Sequence, residues 1–88
     1  MMTEEELKEI EQREQKTQIG PWKAYIEGRD HESGSDFIMT GSQENGVGDI
    51  ELFGATENDY DFIAKAKQDI PRLINEIREL QKKLMHTS

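Results

Sequence analysis

The one run of this chain that sets a histidine directly among acids is Asp30-His31-Glu32. A histidine between two acids has the right types for acid–base chemistry or for part of a metal site. Catalysis needs a nucleophile, an oriented base and charge stabilisation converging in one pocket. A metal needs further ligands at workable spacing. The trio instead sits in GRDHESGS, residues 28–35, which reads as a polar, solvated hairpin loop. The other histidine, His86, lies in the tail, and with no cysteine there is no thiol nucleophile and no thiolate site. Gly46-Val47-Gly48 lacks the Lys and Ser/Thr of a phosphate loop and precedes a strand. These readings leave no catalytic residue, no metal and no cofactor.

Binding groups are more promising. Trp22, directly after Gly20-Pro21, either plugs the core or offers a flat face to a nucleobase. Such stacking is worth roughly 1–3 kcal/mol per base. Phe62, Lys65 and Asp69 are spaced three and four apart, which places them on one face of a helix. Arg72 follows on the next turn. An aromatic ring, cations and a carboxylate on one face can read a base and its phosphate together; a solvated charge stripe explains the same spacing. Asn58 and Asp61 can pair with the edges of bases. The helix start at Glu57-Asn58 offers free backbone N–H groups to an anion, although Asp59 and Asp61 crowd it.

These residues need elements to position them. Eighty-eight residues make a single domain, and only 33% are hydrophobic against 34% charged. Thr3 with Glu6 forms a capping box for a short helix that ends before Gly20-Pro21. Residues 22–26, 36–40 and 49–53 read as three strands, with a tight turn at Asn45-Gly46. Phe37 and Met39 share one face of the second strand, and Ile50 and Leu52 share one face of the third. The expected architecture is α+β: a short N-terminal helix (1–19), a three-stranded antiparallel meander (21–54) and a long C-terminal helix (56–86).

The long helix carries a seam. Ile63, Ile70, Ile77 and Leu84 stand seven apart, with Ala66, Leu73 and Leu80 between them. The seam keeps its phase across Pro71, which favours one kinked helix over two. From Glu57 to Met85 it would be about 43 Å long, longer than a globule with a radius of gyration of about 12 Å. Part of the seam must therefore meet another chain, and a homo-oligomer is expected. A tetramer is favoured over a dimer, because two helix pairs would bury both the seam and the off-seam Ile74. The net charge of −8 argues against DNA or RNA as partner. No apolar run is long enough to span a membrane. The acidic start does not read as a signal peptide, and the absence of cysteine suits a cytoplasmic protein.

Gly20-Pro21-Trp22 and the helix signature over Phe62–Ala66, Asp69–Pro71, Leu73, Ile74, Glu76 and Ile77 resemble a group of small phage and prophage proteins. Similar phage proteins include immune-evasion sponges that sequester the cyclic dinucleotides of bacterial CBASS defence. The resemblance implies an anti-CBASS sponge in the host cytoplasm, which binds a ligand such as 3′,3′-cyclic GMP-AMP without cleaving it. On that reading Trp22 and Phe62 stack on bases, Arg29, Lys65 and Arg72 meet phosphate, and Asn58 with Asp61 read base edges. Asp69 completes the face, or helps Ile70-Pro71 set the kink. The rival reading is an acidic coiled-coil interaction module that inhibits or regulates a host protein. The helix is expected to divide its work, with ligand toward its start and partner chain toward its end.

Overall fold

A computed structural model describes residues 1–32, 34–42 and 48–86. The elements run α1 (Glu4–Gln15), β1 (Lys23–Tyr25), β2 (Phe37–Met39), β3 (Asp49–Ile50) and α2 (Glu57–His86). This is the α-β-β-β-α order expected of an α+β chain. The Asn45-Gly46 turn lies outside the described residues.

Both helices begin on reciprocal capping boxes, which satisfy backbone donors that a first turn otherwise leaves without partners. Thr3 Oγ1 accepts from the Glu6 N–H at 3.1 Å, and Glu6 Oε1 accepts from the Thr3 N–H at 2.9 Å. Thr56 and Asp59 repeat the exchange at 3.2 and 2.9 Å. Three glutamates in the first turn of α1 also favour the positive end of its dipole.

The sheet has the order β1-β2-β3, antiparallel throughout. Ala24 pairs with Ile38, and Ile38 with Ile50, so the three side chains share one face. That face packs on the first turns of α2, where Tyr60 and Ala64 join Ala24, Ile26 and Ile38 in the buried core. Phe37 and Met39 do share a face, but it is the outer one, where Phe37 stacks on Tyr25 at 5.3 Å between ring centroids. The Tyr60 hydroxyl accepts from the Leu52 N–H at 3.0 Å and lies 3.2 Å from the Asp36 carbonyl. It thereby ties the ends of two strands to the helix.

The 28–35 segment forms the polar turn expected of it, with Asp30 and Glu32 exposed and only His31 half-buried. Gly28 adopts φ 81°, a left-handed conformation open to glycine, and its N–H donates to the His31 carbonyl at 2.8 Å. The chain folds back, so Asp30 Oδ2 accepts from the Ile26 N–H at 2.9 Å. The His31 ring lies 5.1 Å from Phe37 and 6.4 Å from Tyr25.

α1 lies antiparallel along α2. Arg78 pairs with Glu4 at 2.9 Å and Glu11 at 2.8 Å, and Gln81 Nε2 donates to the Met2 carbonyl at 2.8 Å. Leu7 and Ile74 are both buried in the monomer, and among the described residues α2 is the one element that α1 packs against. Ile74 is therefore covered by its own chain, not held in reserve for a second helix pair. The reason given for preferring a tetramer falls with it.

α2 continues as a helix through Pro71, whose missing N–H leaves the Lys67 carbonyl without its usual helical donor. At 30 residues it spans about 45 Å. The molecule is 57 Å in its longest dimension, with a radius of gyration of 16.6 Å. A compact chain of this length would have about 12 Å. The far end of the helix therefore runs past the body.

Candidate functional site

The passage from α1 to β1 is made by Gly20-Pro21-Trp22, which lies on α2. Gln68 clamps it at both polar ends: its Oε1 accepts from the Trp22 N–H at 2.9 Å, and its Nε2 donates to the Trp22 carbonyl at 3.0 Å. The Trp22 indole N–H donates to the Gln18 carbonyl at 3.0 Å, and its half-buried ring packs against the core. Lys67 Nζ sits 5.7 Å from the ring centroid. It also pairs with the Glu14 carboxylate and donates to Thr17 Oγ1 at 2.9 Å. The surroundings of Trp22 match the core-plug alternative, and stacking on a base would require Lys67 to move. A Cβ added at Gly20 would lie 3.5 Å from Lys67 Cγ, so the two segments that carry the phage resemblance meet here.

Arg29 is also engaged inside the chain. Its guanidinium makes a two-pronged contact with Asp61 at 2.9 and 3.0 Å, and pairs with Glu57 at 2.7 Å and Asp30 at 2.8 Å. It pins the β1–β2 loop to the start of α2, and reaching a phosphate would mean leaving three carboxylates. A recess of about 170 Å³ lies beside it, lined in part by Trp22, Arg29, Asp61 and Lys65.

Hydrogen bonds from Arg29 hold the Asp61 carboxyl below the ordinary aspartate range. They do the same for Asp30, helped by the Ile26 N–H. A carboxylate depressed on folding adds stability above its unfolded pKa of about 3.9, and that stability is lost as pH falls through the folded value. Thermal unfolding followed from pH 7 to pH 2 should show the melting temperature falling below about pH 4. Arg29→Gln should lower it at pH 7 and flatten that acid limb; an unchanged limb would assign the acid sensitivity elsewhere.

The outer face of α2 gathers the remaining candidates. Phe62 is 70% exposed. An open groove of about 350 Å³ runs along Asp61, Phe62, Lys65, Asp69 and Leu73. A second of about 450 Å³ shares Asp69 and Leu73 and adds Arg72 and Glu76. Among the described residues, Lys65 and Arg72 enter none of the ion pairs that occupy Arg29, Lys67 and Arg78. Asn58 is exposed in the first turn and lines neither groove. The structure thus sets Phe62, Lys65, Asp69 and Arg72 along one face and leaves Asn58 at its end. Trp22 and Arg29 belong to the adjoining joint, and Asp61 borders both the groove and the recess beside Arg29.

The apolar seam runs through the same face. Ala66, Ile70 and Leu73 line the first groove, while Leu73, Leu80 and Leu84 remain 56, 50 and 57% exposed. The stripe begins at Phe62 and is not confined to the stretch after Pro71, so the groups expected to bind ligand and those expected to bind a partner overlap. Sequence reasoning missed Gln68 and Lys67 as the residues that hold the joint. Spacing puts Lys67 about 200° around the helix from Lys65, but it does not say what that other face meets. Among the described residues, no group of three His, Asp or Glu is placed to hold a metal, and no helix is long and apolar enough to cross a membrane. In comparison with known proteins, no family model, no curated protein and no solved structure matches the chain.

Proposed function

We propose that this chain is a binding protein without catalytic activity, which sequesters a cyclic dinucleotide of the 3′,3′-cyclic GMP-AMP kind as a homo-oligomer. On this reading it disarms bacterial CBASS signalling in the host cytoplasm. One observation carries the proposal: exposed Phe62 shares a groove with Lys65 and Asp69, Arg72 lines the next groove along the same face, and among the described residues neither cation enters an internal ion pair. The groove is open and near the lower limit of ligand sites, which run to about 300–1,000 Å³. A second copy would close it and supply the twofold symmetry of a cyclic dinucleotide.

Titration calorimetry with 3′,3′-cyclic GMP-AMP tests the reading. Effective sequestration needs nanomolar affinity, about −12 kcal/mol. Phe62→Ala should weaken binding by about 10- to 100-fold, the loss of one stacked base. Lys65→Ala should weaken it and reduce its salt dependence. Ligand recovered intact after the protein is denatured would exclude hydrolysis. Absence of binding would favour the second reading, an acidic interaction module directed at a host protein. The exposed seam and the net charge of −8 support that alternative.

A further inference from the structure

We propose that α2 pairs with α2 of a second copy in antiparallel orientation, with the twofold axis at Leu73. The inference deepens the oligomer of the proposed function by naming its partner and geometry, and it needs no nucleotide.

The apolar stripe is arranged symmetrically about that residue. Phe62 and Leu84 lie eleven residues to either side of Leu73, and Ala66 and Leu80 lie seven. An antiparallel pair therefore sets Phe62 against Leu84 and the small Ala66 against the larger Leu80. Leu73 meets its own copy on the axis. All but Ala66 are at least half exposed in the monomer. The end of α2 that runs past the body comes to lie along the partner's Phe62 groove, the arrangement that covers most of the stripe.

Charge selects the direction. Residues 57–69 carry four acids and two bases, and residues 72–86 carry four bases and two acids. Internal pairs reduce this contrast without reversing it. Arg29 faces three carboxylates at the start of the helix, and Arg78 faces two near its end. Parallel pairing would set two acidic ends together, and would also align the helix dipoles unfavourably. Antiparallel pairing sets each acidic end against a near-neutral one. Arg72 and Glu76 flank Leu73 on the exposed side, so Arg72 of each copy comes beside Glu76 of the other. The groove at Phe62 and Lys65 then gains a second wall from the partner's Leu80 and Leu84.

The chain lacks cysteine, so single cysteines report the geometry directly. Light scattering on the full chain should give a mass built from pairs of the 10.2 kDa chain. Under mild oxidation Leu73→Cys should link to itself. Phe62→Cys mixed with Leu84→Cys should give the mixed disulfide, while Phe62→Cys alone should stay unlinked. Self-linkage of Phe62→Cys would show a parallel pair, and a monomeric mass would remove the pair altogether. Either result overturns the proposal and leaves nucleotide binding to be judged separately by calorimetry. Arg72→Glu should weaken the pair about tenfold through its two symmetric ion pairs, and Arg72→Glu with Glu76→Arg should restore it. Leu73→Asp should give a monomer with unchanged helical circular dichroism.

Discussion

Ile38→Ala should lower stability by about 2–5 kcal/mol, the usual cost of truncating a buried isoleucine to alanine. Ile38 is the central residue of the central strand, fully buried between Ala24 and Ile50 on one face and α2 behind it. The sheet is short, with strands of three, three and two residues, so little else can close over the cavity. A chain of this size has a total stability of about 4–13 kcal/mol, so the loss is a large fraction of it. Urea unfolding followed by circular dichroism measures the change directly. Phe37→Ala, on the outer face, should cost less. A larger loss at Phe37 than at Ile38 would mean that the core lies on the other side of the sheet.

Lys67→Ala should cost about 1–3 kcal/mol, the range for a buried partner of a charged group left without its hydrogen bond. The side chains of Lys67 and Glu14 are only 10 and 17% exposed, so water replaces little of what is lost. The same ammonium holds Thr17 and covers Trp22, so one substitution loosens the end of α1 and the joint into β1 together. Hydrogen exchange should show faster exchange toward the C-terminal end of α1, near Glu14. A double-mutant cycle with Glu14→Ala should return a coupling energy above that of an exposed pair, about 1 kcal/mol or less. Lys65→Ala, on nearly the opposite side of the helix and exposed, should leave stability within about 0.5 kcal/mol. Equal effects at the two lysines would remove the special role given to Lys67.

That pair of lysines shows where reading the sequence stops. Lys65, Lys67 and Arg72 look alike along the chain, three cations in an acidic protein. Lys67 is consumed by residues fifty and more positions away, and Arg29 by Asp61 thirty-two away. No local rule carries such distances. The placement of Phe62, Lys65 and Asp69 on one face was legible, because it follows from a helix repeat of 3.6 residues. The service of Trp22 and Gln68 in a joint was not, since it depends on how α1 and β1 meet α2.

The sequence alone determined the order of elements, both capping boxes and the unbroken seven-residue seam, because each depends on residues no more than a few positions apart. Tertiary structure decided which side of Phe37-Ile38-Met39 faces the core, since three apolar residues in a row carry no alternation. It also decided that Ile74 is covered by α1, while Leu73, its neighbour, stays exposed. Adjacent residues on a helix point about 100° apart. A single narrow helix such as α1 covers one of those directions and leaves the other open.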